Sequence, residues 1–150
     1  MSRQWIDHTL HIRQIATTEW RQEDAFEFRI MESPHALEQA IRDKVAEGYT
    51  GRVMAGFCWP WTKQADAEGE LHKDVVVGDY IRPWNADENT KGMRRGIPKS
   101  QYWAYDEAGI DQVGCVYTAQ GFECDYAGVI FGNDLKYNPD TGEWEGFSEN

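Results

Sequence analysis

The chain has 150 residues, of which 41% are hydrophobic and seven are tryptophan, enough for one domain with a real core but not for two large ones. Fifteen Lys and Arg stand against 26 Asp and Glu, a formal net charge of −11, which excludes a chain that grips nucleic acid through charge alone, since non-specific binding rests on neutralised phosphates. No apolar run approaches the roughly 20 residues of a membrane helix, the start of the chain shows no signal-peptide core, and the three cysteines (Cys58, Cys115, Cys124) are odd in number and sit in apolar surroundings. They read as core thiols of a reducing cytoplasm, with no Cys-x-x-Cys or His-x-x-x-His spacing to hold zinc.

Taken in order, Trp5, Ile6, Leu10, Ile12 and Ile15 give a partly helical apolar pattern over residues 4–15. Phe26-Glu27-Phe28-Arg29-Ile30 alternates with the period of a strand with one wet face. Ser33-Pro34 is an N-cap followed by proline at the first helical position. Leu37, Ala40, Ile41, Lys44 and Val45 then keep helical spacing up to Gly48, a natural stop, which predicts a helix over 34–47 with Glu38 and Arg42 paired on its exposed face. Residues 52–58 form a near-continuous apolar run, the signature of a central strand. Strand, helix and strand suggest a parallel sheet.

Trp59-Pro60-Trp61 ends that run, its indoles either packed in the loop or free to stack on a base or a partner ring. Residues 74–81 read as a further strand with Gly78 at a bulge, residues 101–105 as a short aromatic strand, and Asp106-Glu107-Ala108-Gly109 as a turn. Between them, 91–99 carry Lys91, Arg94, Arg95 and Lys99 and no acid, a stretch that is either a solvated basic loop or one that faces phosphate.

Residues 113–117 and 127–131 read as two buried strands around the polar connection Thr118-Ala119-Gln120-Gly121-Phe122-Glu123. Such a connection presents functional groups from fixed strand ends. Thr118 offers a hydroxyl, Gln120 an amide, Glu123 a carboxylate, and Gly121 allows a phosphate to approach the backbone. Near the end, Asn138-Pro139-Asp140-Thr141-Gly142 lies between 135–137 and 143–147, which predicts a β-hairpin.

The connection resembles the fifth conserved motif of superfamily 1 helicases. The sequence as a whole resembles the Schlafen-like, DNA/RNA helicase-like bacterial P-loop NTPases. The matching blocks, in order, are Ala55-Gly56-Phe57-Cys58-Trp59-Pro60-Trp61, Gly78-Asp79-Tyr80-Ile81-Arg82-Pro83-Trp84-Asn85, Gly96-Ile97-Pro98-Lys99, Trp103-Ala104-Tyr105-Asp106, and Tyr117 to Glu123 with Gly128-Val129-Ile130-Phe131-Gly132.

The resemblance implies an α/β, RecA-like, mainly parallel sheet flanked by helices with a C-terminal β-hairpin, incomplete relative to the family. Residues 1–150 would be a single, partial second RecA-like domain. It further implies that Thr118 and Gln120 face nucleic acid and that Gly121 and Glu123 face the nucleotide; Arg94 and Arg95 join the nucleic-acid-facing set through the charge of the 91–99 stretch. ATP and magnesium belong to the complete family protein. This sequence lacks Gly-x-x-x-x-Gly-Lys-[Ser/Thr] and an Asp-Glu metal motif after an apolar strand, so the expectation is no catalytic or metal-binding residue and no activity alone.

The partners implied are the missing N-terminal RecA-like domain or another subunit, single-stranded nucleic acid, and a second copy of the chain; no membrane is implied. An alternative from another class is a stand-alone protein-interaction module. A hydrolase is disfavoured, because His8, His11, His35 and His72 form no recognisable set.

Overall fold

A computed structural model describes residues 27–147. The described residues fall into two compact units, Met31–Gly132 and a smaller one that holds residues 27–30 and 133–147. The expected helix over 4–15 lies outside the described residues.

The larger unit begins with helix α1, Pro34–Ala46. Ser33, at φ −159°, accepts from the Ala36 N–H at 3.1 Å and satisfies one of the donors left open at the helix start. The other end closes when the Gly48 N–H donates to the Val45 carbonyl and the Tyr49 N–H to the Lys44 carbonyl, with Gly48 at φ +98°. That is a Schellman closure, and its left-handed position is why a glycine ends the helix.

Strands β1 (Gly51–Ala55), β4 (Gly114–Cys115) and β5 (Tyr126–Ile130) make a parallel sheet in the order β4-β1-β5. Met54 pairs with Gly114 on one side of β1, and Val53 pairs with Gly128 on the other. A parallel bridge from Trp84 to Val113 continues the sheet beyond β4. Helix α1 lies close over β1 and β5 because both are bare beneath it. A Cβ on Gly51 would stand 3.0 Å from Ile41, and one on Gly128 3.1 Å from Leu37 and Ile41. Ile41, Val53, Ala55, Cys115 and Ile130 join Val75, Tyr80, Trp84 and Val113 in a single buried cluster, each large side chain contributing about 1.5–3 kcal/mol.

Between β1 and β4 come strands β2 (Val75–Val77) and β3 (Tyr80–Arg82), an antiparallel hairpin, then two 3-10 turns, Ser100–Tyr102 and Glu107–Asp111. Helix α2, Val116–Ala119, is a single turn after β4. In the smaller unit, β6 (Leu135–Asn138) and β7 (Glu143–Gly146) form the expected hairpin, with Tyr137 opposite Trp144.

Several expected elements change. The single strand at 74–81 is a hairpin, because Gly78-Asp79 reverses the chain within the apolar run. The aromatic stretch 101–105 is 3-10 and turn, with Trp103 fully buried as an anchor. The strand at 113–117 stops at Cys115, and Val116 and Tyr117 are exposed rather than buried. β5 buries only alternate residues, leaving Val129 exposed. Residues 27–30 are irregular and exposed. Glu38, expected on the wet face of α1, is 5% exposed and accepts from both Arg42 and Arg82.

Candidate functional site

Because β1, β4 and β5 run parallel, their carboxyl ends share one edge of the sheet, the edge at which open α/β sheets bind ligands. Phe57 follows β1, and Tyr117 follows β4. Both are exposed (51% and 69%), with ring centroids 6.2 Å apart and planes inclined by 58°. Buried Trp84 lies beneath, 6.3 Å from Phe57 and 5.9 Å from Trp61. The Trp84 indole N–H donates to the Pro60 carbonyl at 2.8 Å and that of Trp59 to the Val76 carbonyl at 2.9 Å, so both indoles are fixed by backbone. Of the two alternatives for Trp59 and Trp61, loop packing describes their half-buried positions. Phe57 and Tyr117 are offered to solvent at this edge, as is Phe131 directly after β5 (58% exposed).

The motif itself is built as a one-turn helix and a reversal. Cys115 caps α2, and burial pushes its thiol upward although the Tyr117 and Thr118 N–H groups face it. Gln120 sits at φ −62°, ψ 126°, Gly121 at φ +87°, and the Phe122 N–H donates to the Ala119 carbonyl at 3.2 Å. These are the angles of a type II turn, whose third position requires glycine. A Cβ on Gly121 would meet nothing within 4 Å. The glycine therefore has a backbone reason, and the space beside it is open.

Phe122 anchors the far side of the turn, edge-on to Trp103 (6.3 Å) and Tyr105 (5.4 Å). Asp125 accepts from the Thr50 N–H at 2.8 Å and the Thr50 hydroxyl at 2.7 Å, which hold its carboxyl below the usual range. Glu123 lies between these two anchored residues and is exposed, as is Gln120, while Thr118 is half-buried. The structure thus brings Thr118, Gln120, Gly121 and Glu123 together on one reversal at the sheet edge.

Arg94 and Arg95 belong to another construction. The Arg94 N–H donates to the Gly69 carbonyl at 2.9 Å, and its guanidinium pairs with Glu70 and reaches the Arg95 carbonyl. Among the described residues no hydrogen bond or ion pair joins either arginine to the motif. Glu70 already offsets the Arg94 charge.

Sequence reasoning missed Asn85. Its side chain is completely buried, accepts from the Cys115 N–H at 2.8 Å, and donates to the Ala86 carbonyl at 2.9 Å and to Thr118 Oγ1 at 3.2 Å. A buried amide satisfied on both ends fixes the strand-to-helix junction of the motif. The sequence signal was a polar residue closing the block from Gly78 to Asn85, directly after Pro83 and Trp84.

Chemically, the turn offers a hydroxyl, an amide and an open backbone to phosphate, and a carboxylate to ribose hydroxyls. That donor set fits a nucleotide or a nucleic-acid strand. It does not fit a magnesium ion, which takes oxygen ligands in octahedral array; Glu123 is the turn's single carboxylate, and no group of three His, Cys, Asp or Glu capable of holding a metal occurs among the described residues. No described helix is long and apolar enough to cross a membrane.

Residues 2–149 match the family described as Schlafen group 3, DNA/RNA helicase domain. A curated relative is an uncharacterized protein of Saccharomyces cerevisiae, YPL245W, 32% identical over 116 residues, which are 75% of this chain and 22% of the relative. The chain thus spans about a fifth of that relative's length. No solved structure matches it.

Proposed function

The chain belongs to the Schlafen group 3 DNA/RNA helicase domain family, and from that premise we propose that it is the nucleotide- and nucleic-acid-facing part of a helicase-like machine, RecA-like in fold and without catalytic activity alone. The observation that carries the reading is the reversal at residues 118–123, set at the carboxyl edge of a parallel sheet beside exposed Phe57 and Tyr117. A single strand would lay bases on these rings, since aromatic stacking accepts any base, and would meet Thr118 and Gln120 with its backbone. Gly121 and Glu123 would take the phosphate and ribose of ATP.

Hydrolysis needs a lysine-bearing phosphate loop and a magnesium site. The sequence has no such loop, so turnover depends on a partner RecA-like domain or subunit that supplies it. A cytoplasmic setting suits three cysteines that read as thiols.

The test is binding of ATP and of a single-stranded oligonucleotide by this chain at low salt, with Gln120→Ala and Glu123→Ala alongside. Binding of each ligand, weakened by its matching variant, is expected. Absence of both would overturn the reading. A second reading, a protein-interaction module, draws on exposed Val129 and Phe131 along β5. Absence of ligand binding together with a stable dimer by light scattering would favour it.

A further inference from the structure

Asn85 does more than fill the core beneath the motif. Its amide orientation is settled by the backbone: the Cys115 N–H can only donate and the Ala86 carbonyl can only accept. The amide oxygen must therefore face Cys115, and the nitrogen must face Ala86 and Thr118. The bond to Thr118 consequently runs one way, with Asn85 donating and the Thr118 oxygen accepting. A hydroxyl that has accepted keeps its own proton to give, and among the described residues the Thr118 O–H donates to no other group. Rotation about the C–O bond cannot reverse this while the buried amide stays in place, and Asn85 has no exposed surface.

We propose that Asn85 is a positioning residue that fixes the Thr118 hydroxyl as an outward donor, so that this point of the motif selects an acceptor-only oxygen, a phosphate of either a nucleic-acid backbone or a nucleotide. The inference rests on the reading of residues 118–123 as a nucleotide- and nucleic-acid-facing turn. The selection is physical. A phosphate oxygen takes the proton and gains a charge-assisted bond. A ligand group that can only donate leaves the hydroxyl's proton without an acceptor and must use the one lone pair that Asn85 leaves open.

The experiment measures binding of a fluorescent single-stranded oligonucleotide and, separately, of ATP and inorganic phosphate. The proteins are the unaltered chain, Thr118→Ser, Thr118→Val, Asn85→Asp, and the double variant Asn85→Asp with Thr118→Val. Aspartate keeps an oxygen for the Cys115 N–H and sets a second oxygen against both Thr118 and the Ala86 carbonyl, which gives up the Ala86 bond and turns the Thr118 hydroxyl inward. Thr118→Ser, which keeps the hydroxyl, should bind more tightly than Thr118→Val. Thr118→Val and Asn85→Asp should each weaken binding about tenfold, and the double variant should lose little more than either alone, because both act through one proton. Protection of the Cys115 amide proton in hydrogen exchange checks that Asn85→Asp keeps the junction folded.

Additive losses, or Asn85→Asp binding as tightly as the unaltered chain, would overturn the proposal. Loss for the oligonucleotide alone identifies a backbone phosphate as the ligand, and loss for ATP or phosphate alone identifies a nucleotide. If the unaltered chain binds none of the three, the motif reading itself falls. The donor assignment is then judged by the Asn85 side-chain amide protons in nuclear magnetic resonance. Unchanged resonances in Thr118→Val would overturn it, and shifted, faster-exchanging ones would uphold it.

Discussion

Gly114 lies directly against the Trp103 indole, so closely that a Cβ at residue 114 would stand 2.2 Å from Trp103 Cη2. Trp103 is fully buried, and its other edge meets Phe122 at 6.3 Å. One ring therefore packs on the strand entering the motif and on the residue leaving it. Gly114→Ala should cost about 2–3 kcal/mol, because a buried indole without free volume must shift off its rotamer. Denaturant unfolding would register the loss as a lower midpoint at unchanged slope.

Arg52 makes a second prediction on the same face. Its guanidinium is buried and donates to the carbonyls of Trp103 (3.0 Å), Gly51 (2.6 Å) and Asp106 (2.7 Å). Burial pushes its affinity for a proton down, and the fields of Cys124 and Asp106 partly restore it. Arg52→Met preserves much of the stem but strands these acceptors, which should cost about 2–3 kcal/mol. Arg52→Lys, with one ammonium for the fork, should recover only part of it. Thermal unfolding of the two variants side by side gives the ordering.

The sequence made α1 and the β6–β7 hairpin readable because their signals are local: a serine cap, a first-turn proline and a glycine stop, and a Pro-Asp-Gly spacer. It hid the end of β4. Val113-Gly114-Cys115-Val116-Tyr117 has the composition of a five-residue strand. Yet Asn85, thirty positions away from Cys115, takes the Cys115 N–H and turns the chain into α2. β-propensity describes a fit to a pleated surface, and a tertiary bond overrides it. The reversal at 78–79 was hidden for the opposite reason, since a two-residue turn leaves almost no gap in an apolar run. The motif residues were legible as chemical types. Their neighbours Phe57 and Asn85 were not, because both partnerships join positions far apart in the sequence.

Glu38 should set part of the acid stability. Burial raises its carboxyl, but hydrogen bonds from Arg82, Arg42 and Tyr80 outweigh burial and hold it below its ordinary 4.5. A carboxyl depressed by folding contributes stability that is fully present above its unfolded value. That contribution is lost as the pH falls through the folded value. The chain should therefore lose stability progressively below about pH 4.5, and Glu38→Gln should flatten that part of the curve. At neutral pH the variant should be about 2 kcal/mol less stable, moderated because Arg42 and Arg82 are a third exposed. Unfolding free energy measured against pH in both proteins decides the matter.

Gly121 separates strain from packing. At φ +87° with open space around the absent Cβ, Gly121→Ala should cost about 1 kcal/mol from backbone conformation alone, and Gly121→Asn less. The larger effect should fall on the turn itself, with faster amide exchange at Phe122, whose N–H closes it. Hydrogen exchange of that amide reports the change directly.

The central claim is that residues 118–123 face a nucleic-acid strand. Fluorescence anisotropy of a single-stranded oligonucleotide titrated with this chain, across a salt series and with Gln120→Ala beside it, tests the claim most directly. Binding that Gln120→Ala weakens is expected, with a shallow salt dependence, because a chain of net charge −11 that binds by stacking and a few hydrogen bonds releases few counterions. No binding at low salt, or binding that Gln120→Ala leaves unchanged, would contradict it.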